Sequence, residues 1–184
     1  MKQPLAVIGA LIAIVLLYLL AWPVPVDPLT WDAPVDRGLV DPFGPDDRLK
    51  RARAIDLGEY SGPEDVTRGS DGLFCATSKE GTILRIDSDG NVAPFADPGG
   101  RPLGIEADAD GSLLVANAYF GLQRVAADGS VTTLIDAVNG QPLVYADDVA
   151  IATDGTTYLS EASSKFGARQ FSGTYEGSLL DILE

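Results

Sequence analysis

The sequence contains no histidine and only one cysteine, Cys75. A Ser-His-Asp triad, a Cys-His pair, a zinc site with histidine ligands and an internal disulfide framework are therefore excluded for this chain. Basic residues are also scarce, because 13 Lys and Arg stand against 27 Asp and Glu and give a net charge of −14. Since phosphate binding needs clustered cations, we expect no nucleic-acid partner. Any chemistry must use carboxylates, amides, hydroxyls or a bound hard cation.

Charge and proline are both absent from one long apolar run at residues 5–22. A helix of these 18 residues is about 27 Å long, close to the thickness of the hydrocarbon layer of a membrane. The run predicts a single transmembrane helix, with residues 1–22 forming a membrane anchor. A cleaved signal peptide is the alternative, although a cut after Ala21 would place the bulky Leu19 at the −3 site.

The flanks of this run predict its orientation. Positive charge on the N-terminal side is limited to Lys2 and the amino terminus, whereas several Asp residues follow the run. This predicts a cytoplasmic N-terminus and an extracytoplasmic domain, in the periplasm, a lumen or the extracellular space. Residues 23–54 are rich in Pro and Asp and predict an extended linker. The basic residues within 48–53 indicate a solvated entry to the domain, with lipid headgroup contact as the alternative.

Helical periodicity is missing after residue 55, and the sequence there repeats. Asp71-Gly72 and Asp110-Gly111 are 39 residues apart, as are Asp89-Gly90 and Asp128-Gly129, and Asp154-Gly155 follows after 44 more. Asp-Gly between short apolar runs is typical of β-hairpins, since Gly adopts positive φ without steric cost. Hairpins repeated about every 40 residues predict the four-stranded blades of a β-propeller.

The number of predicted blades is small. Residues 55–184 hold blades near 62–98, 100–138 and 142–175, whereas a propeller needs at least four. We therefore expect an all-β fold with about three blades of an incomplete propeller. Open blades expose unpaired strand edges. The chain is thus expected to be a truncated product, or one that needs a partner or a second copy to close the propeller.

Several stretches resemble one known family: GPEDV at 62–66, GRPLGI at 100–105, ANAYFGL at 116–122 and ADDVAIATDGTTYLSEASSKFG at 146–167. They are similar to the strictosidine synthase-like branch of the gluconolactonase and paraoxonase superfamily, and within it to the group of adipocyte plasma membrane-associated proteins. That group has an N-terminal anchor and an extracytoplasmic propeller. The resemblance implies a six-bladed parent with a metal or substrate site in its central channel. Many members are calcium-dependent lactonases or arylesterases.

The resemblance also implies Ca²⁺ as cofactor and two of its ligands. Glu64 stands where calcium-binding members place a channel-facing Glu, and Asp147 stands where they usually have Asn. Both are hard oxygen donors that suit Ca²⁺. A plain turn residue after Gly62-Pro63 is the alternative for Glu64. The other ligands and the acid/base Glu of the true synthase have no counterpart, so the catalytic residues are unassigned and synthase-type lyase activity is not expected.

Three further residues are candidates for lining the channel: Asn117, Asp148 and Glu161. Because Asp147 and Asp148 are adjacent, they face opposite sides of a strand, and only one of them points into a channel. An amide that caps a loop at a strand end is the alternative for Asn117. Cys75 is interpreted as a small core residue.

Three functions are compatible with these features. The first is a membrane-anchored, calcium-dependent hydrolase of lactones or esters in its complete form. The second is a non-catalytic binding or scaffold propeller, and the third is an inactive gene fragment. The missing blades argue against activity by this chain alone, whereas Glu64 and Asp147 argue that the complete parent binds metal.

Overall fold

The structure, a computed structural model, describes residues 3–21, 30, 32–40 and 44–171. Parts of the predicted anchor, linker and third blade lie outside the described residues: residues 22–29, 31, 41–43 and 172–184. The chain divides into two compact units, an N-terminal unit with one helix and a β unit at Asp32–Ile182.

The N-terminal unit contains helix α1, Gln3–Ala21. Leu, Ile, Val and Ala dominate its sequence, with no acidic residue in the first turn and no basic residue in the last. The side chains of residues 7–21 are exposed. Among the described residues, no helix combines the length and the hydropathy that crossing a membrane requires. The transmembrane helix therefore stays a prediction.

Two four-stranded antiparallel sheets form most of the β unit, and in each the strand order follows the chain. The strands of the first sheet are β1 (Val66–Arg68), β2 (Phe74–Thr77), β3 (Ile83–Ile86) and β4 (Val92–Ala96). Those of the second sheet are β5 (Pro102–Ala107), β6 (Leu113–Asn117), β7 (Gly121–Val125) and β8 (Val131–Ile135). This up-and-down order is the one predicted for propeller blades.

Two antiparallel pairs follow the second sheet. They are β9 (Ala137–Val138) with β10 (Gln141–Pro142), and β11 (Ala146–Ile151) with β12 (Thr157–Glu161). Short 3₁₀ helices lie at Arg48–Arg51 and Ala168–Phe171. In the first of them, Lys50 pairs with Asp47 at 2.7 Å, in an exposed segment. The described sheets form no closed barrel.

All five Asp-Gly pairs connect adjacent antiparallel strands, as predicted. Their glycines have φ between 82° and 87°, where a side chain would be strained. In four of the turns, Asp Oδ1 accepts the backbone N–H two residues later, at 2.9 to 3.0 Å. At Asp89-Gly90 the carboxylate of Asp87 takes this role and accepts the N–H groups of Asp89 and Asn91, both at 2.9 Å.

Apolar residues of the sheets form a layered core, because successive side chains on a strand face opposite sides. On β6, Leu113 and Val115 pack toward the first sheet, whereas Leu114 and Ala116 pack toward β11 and β12. Cys75 is 2% exposed and belongs to the layer between the first two sheets, which confirms its interpretation as a core residue. The all-β prediction is confirmed.

Candidate functional site

Glu64 immediately precedes β1. The hydroxyl Oγ1 of Thr77 on β2 accepts hydrogen bonds from the backbone N–H groups of Glu64 and Asp65, at 3.4 and 3.3 Å. Glu64 is exposed as a residue. Partial burial of its carboxyl and the nearby negative charge of Asp147 nevertheless raise the pKa of Glu64 above its ordinary value.

Asp147 lies near the start of β11 and is half-buried. The register between β11 and β12 shifts between Ala146 and Val149, so this stretch of β11 is irregular. Burial and then the charge of Asp148 raise the pKa of Asp147. The fold thus brings the carboxylates of Glu64 and Asp147 within electrostatic reach of each other, although 83 residues separate them.

A buried cation lies beside this pair. Arg101 is 9% exposed, and its Nη1 donates to the carbonyl oxygen of Gly62 at 3.5 Å. Its positive charge acts on Glu64 and lowers the pKa, opposing the effect of the surrounding acids. Sequence reasoning missed Arg101. The signal was a charged residue next to a strand that is otherwise apolar.

Asp65 is a second residue that sequence reasoning missed. Its Oδ2 accepts the backbone N–H of Ile105 at 2.9 Å and so joins the first sheet to the second. Its Oδ1 accepts the N–H of Val66 at 2.7 Å. Counted from the Asp-Gly turns, Asp148 occupies the same position of the third repeat, and its Oδ1 accepts the N–H of Val149 at 2.8 Å. Aligning the repeats on their turns would have identified Asp65.

Asp148 is exposed and lies against β5 at Gly104. A Cβ at Gly104 would lie 2.5 Å from Asp148 Oδ1 and 2.6 Å from Asp148 Cα. Glycine is therefore required for the contact between β5 and β11. Asp148 also lines a shallow cavity with residues of both strands of the last pair: Val149, Ala150, Tyr158, Leu159 and Ser160.

Asn117 is fully buried at the end of β6, and its amide serves the protein backbone. Its oxygen accepts the N–H groups of Arg101 and Tyr119 at 3.2 and 3.0 Å. Its Nδ2 donates to Gly99 O at 2.8 Å and to Gln123 Oε1 at 2.9 Å. These bonds correspond to the alternative of a loop-capping amide.

Glu161 ends β12 and is half-buried. Its Oε1 accepts the backbone N–H groups of Val144 and Tyr145 at 2.6 and 3.2 Å. The carboxylate holds the chain that enters β11. Glu161 also lines a cavity together with residues of β9, β10 and the loops next to β11 and β12: Val138, Gln141, Pro142, Leu143, Val144 and Ser164.

Of the five predicted site residues, Glu64, Asp147 and Asp148 are brought together, and Asn117 and Glu161 hold backbone elsewhere. The described part of the chain contains no group of three or more His, Cys, Asp or Glu residues that could hold a metal ion. The arrangement therefore offers a pair of carboxylates with a neighbouring guanidinium.

The comparison with known sequences gives a family match at the start of the β unit. Residues 41–86 match the family "Strictosidine synthase-like, N-terminal". The chain is 31% identical over 180 residues to the adipocyte plasma membrane-associated protein of Gallus gallus, covering 85% of this chain and 43% of that protein. It is 33% identical over 143 residues to strictosidine synthase-like protein 6 of Arabidopsis thaliana, covering 74% of this chain and 37% of that protein.

A solved gluconolactonase from Xanthomonas campestris has a similar fold. The TM-score is 0.52 at 21% sequence identity, and the match covers 55% of this chain and 35% of that one. The chain thus shares the β-propeller type of architecture and spans less than half the length of the curated relatives it matches. The resemblance seen in the sequence is confirmed: this chain is a strictosidine synthase-like protein over the N-terminal part of that family's length.

Proposed function

We propose that this chain is part of a membrane-anchored propeller protein that binds Ca²⁺ through Glu64 and Asp147 and, in its complete form, hydrolyses lactones or esters. The observation that carries the proposal is the convergence of these two carboxylates from opposite ends of the β unit. Each has a raised pKa, because burial and mutual repulsion disfavour the charged form. A bound divalent cation relieves this repulsion.

The described residues supply only part of a calcium site. Ca²⁺ takes six to eight oxygen ligands, and two carboxylates and their neighbouring backbone fall short of that number. The buried Arg101 guanidinium also competes with a cation for Glu64. We therefore assign the pair a share in binding the ion and derive no catalytic step from it. The remaining donors must come from outside the described residues.

Two observations support the membrane anchor. The apolar run at residues 5–22 has the length and composition of a membrane span. The Gallus gallus relative, which matches over 85% of this chain, is named as a plasma membrane-associated protein. The proposed arrangement has a cytoplasmic N-terminus and an extracytoplasmic β unit.

The test of the proposal is calorimetric titration of the full chain in detergent with CaCl₂. We expect binding that Glu64→Gln and Asp147→Asn each weaken by at least about tenfold, because each removes one charged oxygen ligand. Asp128→Asn is the matched control: it removes the same charge at an exposed turn whose Oδ1 accepts from Ser130, and it should leave the affinity unchanged. Equal affinity in all four proteins would contradict the assignment. Zn²⁺ should bind more weakly than Ca²⁺, since every donor is a hard oxygen.

A non-catalytic binding or scaffold protein is the second candidate. It is favoured by the absence of a three-residue metal-ligand group among the residues that the structure describes. Hydrolysis of simple lactones and aryl esters, with and without Ca²⁺, separates the two. Calcium binding with no hydrolysis supports the scaffold, and hydrolysis that both Glu64→Gln and Asp147→Asn reduce supports the enzyme.

A further inference from the structure

Position three after each Asp-Gly glycine lies on the second strand of a repeat and faces the next sheet. Cys75 in the first repeat is 2% exposed and Leu114 in the second is 5% exposed. Cys75 packs in the layer shared with the second sheet, and Leu114 packs in the layer shared with β11 and β12. The equivalent residue of the third repeat, Tyr158, is 64% exposed. The face that carries it is therefore open.

Position six before the same glycine lies on the first strand of each repeat and faces the preceding sheet. Ile105 of the second repeat is 1% exposed and Val149 of the third is 4% exposed. The equivalent residue of the first repeat, Val66, is 57% exposed, next to Phe74 at 44%. The first sheet therefore also has an open face, of the opposite kind.

These two positions pack together twice within the chain. Ile105 lies in the same apolar layer as Cys75, and Val149 lies in the same layer as Leu114. Each contact joins the first strand of one repeat to the second strand of the preceding repeat. The two members left without a described counterpart are Val66 and Tyr158, one on each open face.

A polar contact follows the same rule. Asp65 Oδ2 accepts the N–H of Ile105 from the next repeat at 2.9 Å. Asp148 is its equivalent in the third repeat, and its Oδ1 accepts only the N–H of its neighbour Val149, at 2.8 Å. No other described residue donates to the Asp148 carboxylate. The open face at Tyr158 thus presents both an apolar side chain and a carboxylate acceptor.

We propose that the face formed by Tyr158 and Asp148 binds strand β1 of a second copy of this chain. Val66 of one copy packs beside Tyr158 of the other, and a β1 backbone N–H donates to Asp148. The second copy is the occupant because this chain carries both halves of a contact that it already makes twice internally. The interface is heterologous, and two copies close a ring when both of their faces are joined.

The test is the mass of the full chain in detergent micelles, measured by size-exclusion chromatography with light scattering. We expect a dimer for the wild type. Tyr158→Lys and Val66→Lys should each raise its dissociation constant by at least about tenfold, because each buries an unpaired charge in the interface. Thr132→Lys is the control, since Thr132 is exposed on β8, away from both faces, and its dimer should persist. Far-ultraviolet circular dichroism checks that every variant is folded.

Mixing the variants gives the sharper result. Tyr158→Lys and Val66→Lys copies each keep one intact face, so an equimolar mixture should form a heterodimer that neither variant forms alone. A wild-type chain that remains monomeric up to about 100 µM overturns the proposal. A dimer that survives both substitutions also overturns it, because its association then lies elsewhere, as in contacts between α1 helices.

Discussion

At the scale of single residues, buried polar side chains in this protein mainly serve the backbone. Asn117 satisfies two backbone N–H groups and one carbonyl, Glu161 holds two N–H groups and Asp65 joins two sheets. An unsatisfied buried polar group is costly, so such side chains determine where loops and strand ends lie. They explain why the fold places the exposed pair Glu64 and Asp147 reproducibly.

Replacing Asn117 by Ala should therefore be severe. The substitution leaves two buried donors and two acceptors without their partner, and we expect the free energy of unfolding to fall by at least about 3 kcal/mol. Urea denaturation of the full chain measures it. Asn91→Ala is the control, because Asn91 is exposed and donates to Asp87 Oδ2 at 2.8 Å in a surface turn. Similar losses for both variants would show that the Asn117 network is dispensable.

At the scale of elements, strands are packed on both faces where sheets stack. Strand β6 is buried throughout, and its apolar run LLVA supplies two different layers. Strand β5 instead carries Gly104, which allows β11 to approach with Asp148 against it. The close approach of these two strands positions Asp147 relative to Glu64.

Gly104→Ala tests this contact between strands. The added Cβ would lie 2.5 Å from Asp148 Oδ1 and 3.0 Å from the Asp147 carbonyl oxygen, so β11 must move. We expect a loss of about 3 kcal/mol in the free energy of unfolding, measured by urea denaturation.

The control for this substitution is Gly140→Ala. Gly140 has φ 79° and open space around it, so the change introduces backbone strain without a clash and should cost about 1 kcal/mol. A smaller loss at Gly104 than at Gly140 would mean that β5 and β11 separate without cost.

At the scale of the whole molecule, acidic residues from all three repeats act on one another. The pKa of Glu64, Glu106 and Asp147 is raised in each case first by burial and then by neighbouring carboxylates, Asp148 among them. The net charge of −14 adds to this repulsion. The β unit therefore concentrates negative charge where the first strands of the repeats lie together.

The stability of the protein should rise as the pH falls from about 7 to about 5. The folded state binds more protons than the unfolded state in this window, because the folded pKa values of Glu64, Glu106 and Asp147 are raised. The turn carboxylates have lowered pKa values and lose their contribution only at lower pH. Thermal melts in the presence of EGTA measure the trend, and the triple variant with Gln, Gln and Asn at these positions should flatten it. A Tm that falls over the same window would contradict the assignment.

Local sequence chemistry predicted the hairpins well and the less typical strands poorly. The five Asp-Gly turns and the apolar strands β2, β3, β6, β7 and β8 could be read directly from propensity. The pattern did not predict β1 or β4 individually, nor β5 with its Pro102 and Gly104. Pairing with neighbouring strands overrides low intrinsic propensity at these positions.

The sequence by itself determined the all-β repeat, its turns and the acidic character of the chain, because these depend on interactions between near neighbours and on composition. Only the tertiary structure decided that Glu64 and Asp147 meet, that Asn117 is consumed by backbone hydrogen bonds and that Arg101 lies beside Glu64. Each of these depends on how separate sheets stack. That stacking is set by side-chain packing over tens of residues of chain separation, which local patterns do not encode.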